Sequence, residues 1–349
     1  MNFAQITTEY VCGVDLHGKT NYICIMNKEG TIFKHFNMRN NINQFKTEVL
    51  KYYPNITVAT ETMHSYYWLA DICKENEIPF VLGHAYYMKS IHGGKKKNDK
   101  IDSKTIADLT RSNHLPVGYV YPKELRATRD LLRRRTCFMR LRAEAYSHIQ
   151  LIFRQQCINI EPKEVKDKNR RSLINLLEDE QLQSSVEMNL NLIDFFDPQL
   201  NKIEREIRAK AKNHDRTALN ILLTMPGIGE MMSLVILYEI GEINRFKSAQ
   251  DFSSYSRIVK CQRESGGKNY GTKNQKIGNS NLKWAIGDII IHAPRTSAVI
   301  KKFYDKLINK HGKRKAKSII THKFGVAIYY MLKNKQAFDE DRFVRCDWN

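Results

Sequence analysis

Apolar and polar residues alternate in short runs over the first part of the chain and recur at helical intervals over the rest. Runs at 10–16, 21–26 and 31–36 are rich in β-branched and aromatic residues, and Asn27-Lys28-Glu29-Gly30 predicts a hairpin turn between the last two. Ile42, Phe45, Val49 and Leu50 then share one face of a helix predicted over 41–53. A strand over 56–59 leads into Glu61, a helix over 66–76 follows, then a strand over 79–82 and a helix carrying Asp99 and Asp102. This succession predicts an α/β domain with a mixed sheet over residues 1–122.

Beyond Pro122 the pattern changes. Leu125, Leu131, Leu132, Phe138, Leu141, Ala145, Ile149 and Ile152 mark one long helix, and Val186, Leu190, Ile193, Leu200, Ile203 and Ile207 mark a second over 180–212. Pro198 is expected to kink or interrupt the second, and the polar stretch 161–171 reads as a connection. Residues 123–214 are therefore expected to form a helical hairpin or coiled coil, closed within one chain or between two. The last domain, 215–349, is expected to be mainly α. It opens on Ile221–Glu230, where P-G-I-G between two apolar helical segments has the form of a helix-hairpin-helix, and it ends on an apolar helix over 324–332.

Charge narrows the function. Lys and Arg number 57 against 37 Asp and Glu, a formal net charge of +20, which attracts polyanions and above all nucleic acid. The candidate contacts are Lys95, Lys96 and Lys97 beside the acid-bearing helix, Arg133, Arg134 and Arg135 on the first long helix, and Lys313, Arg314 and Lys315 in the tail. Gly227 and Gly229 would let the backbone approach a phosphate, which the N–H groups of the next helix would bind. Each has a plainer reading: a solvated Lys loop, a soluble coiled-coil surface, a tight helix–helix turn. Seven scattered cysteines without a C-x-x-C pair read as reduced thiols. The absence of a secretory signal and of a membrane-spanning run predicts a cytoplasmic protein.

The candidate chemistry is carboxylate chemistry. Asp99 and Asp102 lie three apart on one helix face, Asp15 sits in the first strand and Glu61 at the tip of the fourth, so the four could share one or two Mg²⁺ or Mn²⁺ ions. In Arg263-Glu264-Ser265-Gly266-Gly267-Lys268, Ser265 is flanked by glycines and cations, either as a turn residue or as a nucleophile whose transition state Lys268 would stabilise.

Taken together, G-V-D-L-H at 13–17, E-T at 61–62, K-N-D-K-I-D-S at 97–103, M-P-G-I-G at 225–229, E-I-N-R-F-K-S-A at 242–249, R-E-S-G-G at 263–267 and G-N-S-N-L-K-W-A at 278–285 resemble the DEDD-type insertion-sequence transposases. In that family a bridging RNA pairs donor and target DNA. The resemblance implies a ribonuclease-H-like, resolvase-type N-terminal domain whose acids are Asp15, Glu61, Asp99 and Asp102, and a C-terminal transposase domain whose nucleophile is Ser265. It implies a homo-oligomer, dimer to tetramer, with acids and serine meeting across subunits. Many relatives carry G-L-x-P before the serine, where this chain has Arg257-Ile258-Val259-Lys260, and His64 stands where many carry glycine. Two rival functions stay open: a resolvase-type nuclease in which metal-bound water attacks, and an inert RNA- or DNA-binding scaffold.

Overall fold

The computed structural model describes residues 2–91, 98–211, 215–259, 262–272 and 277–345. The chain divides into two compact units, Met1–Lys123 and Glu124–Asn349.

The first unit runs β1 (Tyr10–Leu16), β2 (Thr20–Asn27), β3 (Ile32–Arg39), α1 (Ile42–Val49), β4 (Ile56–Glu61), α2 (Tyr67–Glu75), β5 (Phe80–Gly83), α3 (Ala85–Ile91) and α4 (Asp99–Arg111). Its sheet has the order β3-β2-β1-β4-β5, with β1, β2 and β3 antiparallel and β4 and β5 parallel to β1. β1 is central and buried from Val11 to Leu16, so its alternation serves two cores. Cys12, Val14 and Leu16 join Ile23, Ile25, Phe45, Val49, Leu69 and Ile72 beneath α1 and α2. Val11 joins Cys24, Met26 and Ala107 of α4 on the opposite face. The helix predicted over 41–53 stops at Val49 and passes into a 3-10 turn, Leu50–Tyr52, because the residue before Pro54 is held extended. α3 has no counterpart in the predicted elements.

The second unit takes in α5 (Lys123–Gln155), all but its first residue, and α6 (Glu180–Ala211). Ala145, Ile149, Ile152 and Phe153 of α5 pack on Val186, Leu190 and Ile193 of α6. The stretch read as a connection is folded: 3-10 turns at Glu164–Lys166 and Arg170–Leu176 bury Val165 and Leu173 in the same core. α6 continues through Pro198 as one helix, so the interruption that the proline could cause does not occur. Apolar residues are buried on both sides of the proline, Val186 to Phe196 before it and Leu200 to Ala211 after it, which offsets the about 3 kcal/mol such a proline costs.

The rest comprises α7 (Arg216–Leu223), α8 (Glu230–Ile240), α9 (Ala249–Tyr255), β6 (Gln262–Ser265), β7 (Lys268–Thr272), α10 (Ser280–Thr296), α11 (Ala298–His311), α12 (Lys313–Asn334) and α13 (Glu340–Arg345). α8, apolar on every side, is the core helix of this part, buried along nearly its whole length. Its one buried acid, Glu239, is 1% exposed and takes Arg133 on both oxygens, at 2.6 and 2.8 Å, and Asn279 Nδ2 at 2.7 Å. Asn279 in turn caps α10, its Oδ1 accepting from the N–H groups of Asn281 and Leu282 at 3.0 Å each. Gly278 adopts φ +98, and an added Cβ would lie 2.4 Å from the Tyr255 carbonyl oxygen. The G-N-S-N phrase is thus accounted for by packing and capping. Glu239→Ala should cost roughly 3–5 kcal/mol in chemical denaturation, with Glu239→Gln losing less, because the first removes the acceptor that Arg133 and Asn279 share.

Candidate active site

Alternation sets Gly13 and Asp15 on one face of β1, and Ala59 and Glu61 on one face of β4. The parallel register places Gly13 opposite Ala59 and Val14 opposite Thr60, so Asp15 and Glu61 follow side by side at the carboxyl ends of neighbouring strands. α4 covers that face. It approaches so closely at Gly13 that an added Cβ would lie 2.3 Å from the Ser103 carbonyl oxygen and 2.4 Å from the Ala107 nitrogen. Asn98 starts the helix, its Oδ1 accepting from Ile101 N at 2.8 Å, and Asp99 and Asp102 occupy the first turn, where the helix dipole favours anions.

At the centre is a cluster that includes a residue outside the four acids. His17 Nε2 lies 3.3 Å from Asp15 Oδ2 and 3.3 Å from Asp99 Oδ1, and the donor atoms of the three residues all lie within 4.8 Å of one another. Nε2 is buried and makes no hydrogen bond, although the ring edge reaches solvent. Asp15 is 5% exposed; Glu61 and Asp102 are half-buried and Asp99 is exposed. Burial pushes the Asp15 carboxyl up to about 6, His17 opposes the rise, and the charges of Asp102, Glu61 and Asp99 add to it. Asp15, Asp99 and His17 thus lie together, and Glu61 and Asp102 lie within electrostatic reach of Asp15. A buried carboxylate among carboxylates and a buried nitrogen without a hydrogen bond are both relieved by a cation, so this donor set fits a divalent ion. His17 could have been noticed from its spacing alone, since position i+2 after Asp15 returns to the same face of the strand.

Ser265 lies in the second unit as the last residue of β6, paired with Lys268 at the head of β7. The turn between them is Gly266-Gly267 with φ +57 and +73, both positive as a two-residue type I′ hairpin requires. Lys268 is exposed. Ile258, in the segment that departs from G-L-x-P, is buried, its Cδ1 lying where a Cβ on Gly325 would stand.

The nucleic-acid candidates fall into different settings. Arg133 pairs with Glu239 and Arg135 with Glu204 at 2.7 Å, while Arg134 lies over the Phe138 ring, 6.0 Å from its centroid. Lys313, Arg314 and Lys315 are exposed on the first turn of α12. Gly227, with φ +82, lets the α7–α8 turn pack on α10, since a Cβ there would meet the Ala293 nitrogen at 2.4 Å; Gly229 caps α8 with open space beside it. Lys95, Lys96 and Lys97 lie outside the described residues. Among the described residues no helix is long and apolar enough to cross a membrane.

Comparison with known proteins bears on the whole arrangement. A DEDD-type IS110 family model, described as Transposase, matches residues 12–157, and a model described as Transposase IS116/IS110/IS902 family matches 219–305. The transposase for insertion sequence element IS1328 of Yersinia enterocolitica is 27% identical over 194 residues, covering 54% of this chain and 56% of that protein. A Streptomyces coelicolor protein described as the candidate mini-circle transposase for IS117 is 29% identical over 129 residues, 35% of this chain and 30% of that protein. The matches therefore span about half, and about a third, of those relatives' lengths. The chain belongs to the IS110-type insertion-sequence transposase family.

Proposed function

We propose that this chain is a DNA recombinase that moves its insertion sequence by cutting and rejoining donor and target DNA strands, with a bridging RNA selecting the sites. The observation that carries the reading is the convergence of Asp15, Asp99 and His17 within 4.8 Å, with Glu61 and Asp102 acting electrostatically on Asp15. The order β3-β2-β1-β4-β5, with acids at the tips of two parallel strands, supports the ribonuclease-H-like, resolvase-type reading of the first unit. Mg²⁺ or Mn²⁺ held by Asp15, Glu61, Asp99 and Asp102 would polarise the scissile phosphate. Ser265 is the nucleophile of this proposal: its hydroxyl oxygen bonds to phosphorus as the bond to the leaving deoxyribose oxygen breaks, and that oxygen takes up a proton. Lys268 neutralises developing charge, and the phosphoserine link keeps the bond energy for rejoining. Lys313, Arg314 and Lys315 are offered as phosphate contacts, and the α5–α6 pair, which leaves Leu141, Leu151, Leu192 and Phe195 exposed, as an oligomer contact.

The test is cleavage of labelled DNA carrying an element end, with the noncoding RNA of the element's flank and Mg²⁺. Cutting should vanish in EDTA and slow at least about a hundredfold in Asp102→Asn. Cleavage that persists undiminished in EDTA would contradict the role given to the acids.

A further inference from the structure

We infer that His17 is a nitrogen ligand of the carboxylate site and that it biases the site toward Mn²⁺ over Mg²⁺. The inference rests on the metal-holding role proposed for the acids and adds to it a residue that sets ion preference.

Three observations carry it. The first is distance: Nε2 stands 3.3 Å from a carboxylate oxygen of Asp15 and 3.3 Å from one of Asp99. Donors in cis positions on an octahedral ion, each about 2.1 Å from it, lie about 3 Å apart, so this spacing is that of ligands sharing one ion. The second is the state of that nitrogen, buried and without a hydrogen bond. A ring whose role was to orient a carboxylate would be expected to hydrogen-bond to it.

The third is how firmly the residue is held. The His17 N–H donates to the Thr20 carbonyl oxygen at 2.9 Å, and its carbonyl oxygen accepts from Asn40 Nδ2 at 2.9 Å. Asn40 is fixed in turn, its Oδ1 accepting from Asn21 Nδ2 at 2.9 Å. The side chains of Asn40 and Asn21 therefore lock the backbone just past β1, where the i+2 relation to Asp15 turns the imidazole toward the acids.

Ion preference follows from ligand chemistry. Mg²⁺ is hard, binds oxygen and keeps its waters, so an imidazole adds little to its affinity. A first-row transition ion gains from nitrogen ligation, and Mn²⁺ is the member of that series best suited to the accompanying carboxylates.

The experiment uses the full chain and MnCl2 alone. Pulsed electron paramagnetic resonance of the Mn²⁺-loaded wild type should show ¹⁴N coupling of an imidazole, absent in His17→Gln. Titration should show Mn²⁺ affinity falling about tenfold or more in His17→Gln, while Mg²⁺ affinity, read by competition, changes less than about threefold. His17→Asp, which returns an oxygen ligand, should bind Mg²⁺ at least as well as wild type and show no ¹⁴N coupling. The wild-type spectrum decides the matter even if a variant folds poorly. Mn²⁺ that binds in an Asp15-dependent way without ¹⁴N coupling would remove His17 from the coordination sphere and leave the acids in place. Mn²⁺ binding indifferent to Asp15→Asn would overturn both readings.

Discussion

Asp15→Asn is expected to lower strand cleavage by at least about a thousandfold while making the folded protein more stable above pH 6. The Asp15 carboxyl has its proton affinity raised on folding, from 3.8 to about 6, chiefly by burial and then by its acidic neighbours. The native state therefore holds this proton more tightly than the unfolded chain does. Stability from that difference is fully present below about pH 4 and is lost as pH rises through about 6. Above that, the native protein carries a buried negative charge that asparagine does not. A rise of about two pKa units sets an upper limit of about 3 kcal/mol on the gain at pH 7.5. Thermal melts in EDTA should show Asp15→Asn melting above wild type at pH 7.5 and level with it at pH 4. MnCl2 should raise the melting temperature of wild type more than that of the variant. Equal wild-type and variant melting at both pH values would contradict the buried-charge account.

Gly13→Ala is expected to disrupt the site without altering any of its ligands. The new methyl would stand 2.3 Å from the Ser103 carbonyl oxygen and 2.4 Å from the Ala107 nitrogen, both main-chain atoms of α4 that cannot rotate aside. α4 must then lift from β1 and carry Asp99 and Asp102 with it. The cost should be about 3 kcal/mol by chemical denaturation, with Mn²⁺ affinity reduced more than about tenfold. Gly287→Ala is the control: a Cβ there meets nothing within 4 Å, and in a helix the change should be neutral or slightly stabilising. A Gly13→Ala protein that binds Mn²⁺ normally would show that α4 does not set the position of its acids through this contact.

Gly13 also marks where local pattern stops being informative. Short runs of apolar, β-branched and aromatic residues suffice to find β1 to β5, and i, i+3 spacing suffices to pair Asp99 with Asp102. The seating of α4 on β1 depends on a contact between residues about ninety positions apart, such as Gly13 with Ser103 and Ala107, and no local window records it. His17 is an intermediate case, since strand alternation aligns it with Asp15 but only the fold brings Asp99 within 3.3 Å of it. The arginine-rich face of α5 reads as basic surface, yet Arg133 is paired with a glutamate 106 residues away. Pro198 reads as a kink or a break because proline costs a helix locally, whereas the buried seam on both sides of it is a tertiary contribution. The hairpin β6–β7 was legible only as a glycine pair, since four- and five-residue strands leave little alternation to detect.

The proposed mechanism is tested most directly by the state of the cut DNA. Labelled donor DNA is incubated with protein, Mg²⁺ and the flanking RNA, then run on a denaturing gel before and after protease. The account predicts a slow band that collapses on proteolysis and is missing in Ser265→Ala. Cut DNA with no protein-linked species, formed equally by Ser265→Ala, would contradict it and make the enzyme a nuclease that uses water on the same fold.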